Sequence, residues 1–189
     1  MAIIVFRVAW MNNYNGIVGD PPIGGGAFIL ANGYGSEIFN FRPYGGKMYG
    51  FVEPGYSPEP KSINIGRLGA SKTSSKVSEI LVVWVARNPI TRILVVVGWY
   101  KNAKIHKDRQ TPPGFWNREQ PNGNQAKYFA VADEENCRLL PVGMRVIQVP
   151  VNKGAKGEKG GIGQSNLWYL DKTKGPKFKD ELLMHYGLR

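Results

Sequence analysis

The chain has 189 residues, with 25 Lys or Arg against 14 Asp or Glu for a formal net charge of +11, and five Trp, nine Tyr and eight Phe. Its two histidines, His106 and His185, and its single cysteine, Cys137, are too few for a closed four-ligand zinc site and allow no internal disulfide, so a reducing, cytoplasmic setting is expected. A basic, aromatic-rich chain of one-domain length points first to nucleic acid as the partner.

Residues 3–10 are apolar and β-branched apart from Arg7 and predict a strand; with no charged leader and no small-residue cleavage site, this start does not read as a signal peptide. The polar cluster 11–16 predicts a turn that opens a long loop reaching Gly24-Gly25-Gly26. Residues 28–41 mix strand-like and glycine-punctuated pieces, residues 42–62 predict irregular or edge-strand chain, and 71–78 predict a short helix. The strongest signal is the pair of β-branched runs 80–86 and 93–100, joined by a tight loop; neither alternates, which predicts adjacent strands covered on both faces. Such runs are far short of a membrane span, and no membrane partner is expected. Downstream, 126–132 predict a strand, 133–140 a short helix stopped by Pro141, 145–149 a strand, and 176–186 a helix with Phe178, Leu182 and Tyr186 on one face. The fold class expected is α+β: a curled, mostly antiparallel sheet or barrel flanked by a few short helices, in one domain over 1–175. The closing helix over 176–189 suits either a natural terminus or a junction to an effector domain.

Several chemical motifs fail. The Gly/Lys segment 154–161 lacks the Gly-Lys-Ser/Thr of a phosphate-binding loop. Glu59-Pro60-Lys61 sits in the proline-rich segment, and two histidines 79 positions apart cannot assemble a His-Asn-His nuclease motif. His106, among Lys101, Lys104, Lys107 and Arg109, fits a solvent-facing or phosphate-contacting role. No cofactor and no metal site are expected, and Cys137 reads as a small packed hydrophobe.

Three segments pair aromatic rings with amides or hydroxyls: Trp10-Met11-Asn12-Asn13-Tyr14, Trp99-Tyr100-Lys101-Asn102 and Gln164-Ser165-Asn166-Leu167-Trp168-Tyr169. Aromatic stacking stabilises an unstacked base by about 1–3 kcal/mol, and amides or hydroxyls can read its edge. The bland alternative makes Trp99 and Trp168 core residues and the polar neighbours helix caps. Basic runs lie near these segments: Lys101, Lys104, Lys107 and Arg109; Lys153, Lys156 and Lys159; and the C-terminal lysines 172, 174, 177 and 179.

Val95-Val96-Val97-Gly98-Trp99-Tyr100-Lys101-Asn102-Ala103, Glu135-Asn136-Cys137-Arg138-Leu139-Leu140-Pro141 and Gly161-Ile162-Gly163-Gln164-Ser165-Asn166-Leu167-Trp168-Tyr169 resemble the EVE and YTH domains of the PUA-like superfamily. With the opening strand, the segment 35–41 and the central hairpin in the same order, the resemblance covers roughly residues 1–170. It implies a curled sheet flanked by helices that holds a flipped, modified base in an aromatic cage. Such domains often precede a nuclease or a nucleotide-driven translocase in modification-dependent restriction systems. The cage residues it implies are Trp10 and Trp99, with Tyr100, Trp116 and Trp168 behind them, and the base-edge readers are Asn12, Asn102, Ser165 and Asn166. A closely spaced Trp-Trp pair, part of the YTH pattern, is absent. The expected function is non-catalytic reading of DNA that carries N6-methyladenine or 5-methyl- or 5-hydroxymethylcytosine. Lys101, Lys104, Lys107, Arg109, Lys153, Lys156 and Lys159 would contact phosphates. Trp99→Ala would then abolish discrimination more than affinity. An RNA-binding PUA-like module, and a small metal-dependent nuclease using Asp20, Glu59 and Lys61, remain the alternatives.

Overall fold

A computed structural model describes residues 1–55, 59–113, 115–152, 160–170 and 175–188, with the side chains of residues 115 and 116 outside the description. β1 (Ala2–Val8) runs parallel to β4 (Lys76–Arg87), which forms an antiparallel hairpin with β5 (Leu94–Gln110). β2 (Pro43–Tyr44), β3 (Lys47–Gly50), β6 (Tyr128–Asp133) and β8 (Leu167–Leu170) extend the sheet in the order β2-β3-β6-β5-β4-β1-β8, and β7 (Cys137–Leu139) pairs with β5 beside β6. β1–β4 is the parallel pair in this otherwise antiparallel sheet, which is not closed into a barrel.

Side chains alternate across a strand, so the unbroken apolar runs of β4 and β5 supply two cores. Ile80, Val82 and Trp84 point to a first core with Phe6, Phe41, Phe51, Tyr100 and Phe129; Leu81, Val83 and Val85 point to a second with Trp99, Trp168, Phe178 and Leu182. The segment after β3 lines the first core through Phe51, Val52, Ile63, Ile65 and Leu68. It is fastened across the sheet by the Asn64 N–H donating to the Tyr169 hydroxyl (3.1 Å) and the Asn166 amide donating to the Glu53 carbonyl (2.9 Å). Gly50 has no side chain where the Trp84 ring lies against it, and a Cβ there would collide with that ring. Helix α2 (Pro176–His185), started by its N-terminal Pro, seats Phe178 and Leu182 on the second core as its spacing predicts.

Four expectations are corrected. Residues 28–41 hold helix α1 (Ala27–Asn32), ended by Gly33 in the left-handed conformation, and a 3-10 turn at Ser36–Phe39 rather than strand. The predicted helix over 71–78 is a loop that enters β4 at Lys76, because Ser and Thr bond to one another there: Ser71 to Thr73 and Ser74. Residues 133–140 form a 3-10 turn (Glu134–Asn136) and β7, which pairs with β5 at 98–100. Residues 145–149 contribute one bridge, Val95 to Gln148, instead of a strand. β5 also runs ten residues beyond its predicted end, to Gln110. No helix among the described residues is long and apolar enough to cross a membrane.

Candidate nucleic-acid interface

Two of the three aromatic–amide segments adjoin the C-terminal end of β1, one paired alongside it and one following it in the chain. The Arg7 backbone N–H donates to the Asn166 carbonyl (2.9 Å), and its guanidinium donates to the Asn166 side-chain oxygen (3.2 Å) and to the carbonyls of Gly163 (3.1 Å) and Gln164. Two residues past β1 begins the loop with Trp10, Asn12 and Asn13, fixed from both sides. The Asp20 carboxylate accepts the N–H groups of Asn12 (2.7 Å), Asn13 (2.7 Å) and Tyr14 (3.2 Å). The Arg145 guanidinium donates to the carbonyls of Leu140 (3.0 Å), Met11 (2.7 Å) and Asn12 (2.6 Å) and lies 4.7 Å from the centre of the Trp10 ring. Tyr14, fully buried, donates its hydroxyl to the Ala9 carbonyl (2.7 Å). The side chains of Asn12, Asn13 and Ser165 are exposed around this frame, and Asn166 is half-buried within it.

The rings expected to form a cage are packed by the chain itself. Trp10 is 4% exposed and faces Arg145. Trp99 packs tilted against Tyr186 in the second core, with ring centres 4.8 Å apart, and Trp168 stacks at 5.6 Å on Phe178 in the same layer. Tyr100 lies in the first core, its hydroxyl donating to the Asn40 carbonyl. These four do not share one cavity, because alternation divides them between opposite faces of the sheet: Trp10 and Tyr100 in the first core, Trp99 and Trp168 in the second. The side chain of Trp116 and the lysines Lys153, Lys156 and Lys159 lie outside the described residues, as do lysines 172 and 174. Asn102 is exposed at φ 51° as the extra residue of a β5 bulge, between the pairs Val82–Tyr100 and Ile80–Ala103.

That bulge sets the electrostatics of the outer half of β5. By shifting the register it keeps Tyr100, Ala103 and Ile105 on the first core and turns Lys101, Lys104 and His106 to the opposite face, where Lys76 is the cross-strand partner of His106. The His106 ring meets Tyr128 edge-on at 5.5 Å, and Tyr128 meets Tyr49 at 5.1 Å, forming an aromatic row across β5, β6 and β3. Burial and the charges of Lys104 and Lys76 hold the His106 pKa below its ordinary value. Lys107 and Arg109 turn the other way. Arg109 forms an ion pair with Glu53 (2.8 Å) and lies 5.6 Å from the Phe51 ring, while Lys107 lines an open groove of about 400 Å³ with Lys72, Ser62, Asn64 and Ser71.

Sequence reasoning missed Arg7, Arg145, the buried Glu37 whose carboxylate accepts the Ala9 N–H, and the His106–Tyr128 row. Only the row had a local signal, the alternation of Lys104 and His106. Asp20, the candidate acid of the nuclease alternative, accepts three backbone N–H groups. Glu59 and Lys61 are exposed, and the described residues contain no cluster of three or more His, Cys, Asp or Glu able to hold a metal. Cys137 is half-buried against the first core; burial and the nearby Asp133 and Glu134 push its thiol pKa up, away from the reactive thiolate.

Comparison with protein-family models, curated proteins and solved structures finds no match.

Proposed function

We propose that this chain is a non-catalytic module that binds duplex DNA and reads a modified base within it. The observation that carries the reading is that two loops beside the end of β1 present exposed polar side chains on hydrogen-bonded backbone, Asn12 and Asn13 on the loop held by Asp20 and Arg145 and Ser165 on the segment held by Arg7, in a chain of net charge +11. Amides and hydroxyls are the groups that read a base edge, and a backbone already fixed by hydrogen bonds lowers the cost of ordering the loops that carry them on binding. The lysine face around His106 supports the electrostatic half: Lys76, Lys101 and Lys104 can track phosphates while the aromatic row offers apolar surface. The resemblance to EVE and YTH domains supplies the modified-base part of the proposal, N6-methyladenine or 5-methyl- or 5-hydroxymethylcytosine, together with a nuclease or translocase as the effector it would direct. With Trp10, Trp99, Tyr100 and Trp168 occupied by the fold, the base edge is met by the amide and hydroxyl groups of this end.

The test is binding to otherwise identical duplexes with and without each modification, in competition with single-stranded RNA. Tighter binding to one modified duplex supports the reading; equal affinity throughout, or preference for RNA, overturns it. The triple change Lys76→Ala, Lys101→Ala and Lys104→Ala is expected to flatten the slope of log affinity against log salt by about 2.7, roughly 0.9 per phosphate contact, on modified and unmodified DNA alike. An unchanged slope would take these lysines out of the interface.

A further inference from the structure

Val18 is 98% exposed, a β-branched apolar side chain standing almost wholly in solvent at the tip of the loop after β1. It is flanked by Gly16 (φ 102°) and Gly19 (φ 71°), both in the left-handed region that lets the chain turn sharply on either side of the tip. The base of this loop is immobilised by the three N–H groups bonded to Asp20, by the Gly16 N–H donating to the Ile38 carbonyl (2.9 Å), by the Asp20 N–H donating to the Ile17 carbonyl (3.2 Å) and by Arg145. A tip whose apolar group makes no core and whose base is bonded on all sides is built to keep that group projected.

Its surroundings fit a nucleic-acid groove better than an apolar protein surface. Asn12, Asn13 and Asn15 are exposed on the same loop, and the Arg42 guanidinium lies beside Gly16. Proteins that enter the DNA minor groove combine amide and guanidinium groups, which meet base-edge acceptors and phosphates, with an apolar wedge that separates a base step. We propose that Val18 is such a wedge. It enters a base step of duplex DNA from the minor groove and unstacks it, with the loop asparagines on the flanking base edges. This rests on the reading of the chain as a duplex-DNA binder and names the residue that would open the duplex for base extrusion.

The test uses the full chain and a duplex carrying 2-aminopurine, whose fluorescence rises on unstacking, next to the modified base. The unaltered protein should raise the fluorescence on binding. Val18→Ala and Val18→Ser should cut that rise by about fivefold or more while weakening affinity by about tenfold at most, and Val18→Leu should retain it. An exposed side chain adds little to stability, so unchanged melting of the variants keeps the comparison clean. Binding with no fluorescence rise, or an equal rise with Val18→Ala, overturns the wedge and leaves the DNA reading standing. Failure of the unaltered protein to bind any duplex overturns both.

Discussion

Replacing Trp99 with Ala is expected to lower the free energy of unfolding by about 3–5 kcal/mol, the usual cost of removing a buried indole. The ring is 7% exposed and packs tilted against Tyr186 at 4.8 Å, and the residue is paired on either side with Val83 of β4 and Arg138 of β7. It thus ties the residue capping α2 to the sheet, and its removal leaves a cavity that β-strand neighbours cannot collapse to fill. Trp99→Phe keeps an aromatic contact with Tyr186 and should lose less than half as much. Urea unfolding monitored by far-UV circular dichroism measures both. A Trp99→Ala midpoint equal to that of the unaltered protein would show the ring to be dispensable to packing and return it to the cage reading. The same variant, assayed on DNA below its melting temperature, separates the two roles: a core role predicts that discrimination survives wherever the protein is folded.

Trp99 shows where the sequence could be read and where it could not. The β4–β5 hairpin was legible because two unbroken β-branched runs with a short connection have few other ways to be buried. Helix α2 was legible for a similar reason, its Pro start and its Phe178–Leu182 spacing being local signals. The opening loop and the edge position of β2 were read from Asn, Gly and Pro. β7 and β8 were not read, because three or four residues carry no period of their own and are strands only through partners nearly 40 and about 160 positions away. Among the aromatics, residue type told that Trp10, Trp99 and Trp168 matter but not to which face each turns. That is set by alternation counted from the hairpin, and the Asn102 bulge changes the count midway along β5. Trp99 and Tyr100, adjacent in sequence, therefore serve different cores. The frame around Asn12 was invisible for another reason. Arg145 reaches it across more than 130 positions, as Glu37 reaches Ala9 across 28, and neither carries a local pattern.

Glu37 supplies a measurable pH dependence. It is 6% exposed and accepts the Ala9 N–H at 2.5 Å, where the chain leaves β1 for the loop. Burial, with the neighbouring Glu53 charge adding to it and the Ala9 N–H opposing it, raises its pKa from 4.5 to about 7. Between those two values the folded chain holds a proton that the unfolded chain has released, so this stabilisation is complete below about pH 4.5 and is lost as pH rises through 7. A rise of this size corresponds to about 3 kcal/mol once the carboxylate is ionised, at 1.36 kcal/mol per pH unit. Glu37→Gln keeps an acceptor for the Ala9 N–H and carries no charge. It should match the unaltered protein near pH 4.5 and exceed it by up to about 3 kcal/mol at pH 8. Comparing the two proteins at each pH cancels the titration of every other group except those coupled to Glu37, of which Glu53 and Tyr14 are the ones in electrostatic contact. Denaturant unfolding of both at pH 4.5, 6 and 8 decides it. A stability difference that stays constant with pH would mean that Glu37 is ionised in the folded chain, and that the junction of β1 with its loop is wetter than its burial implies.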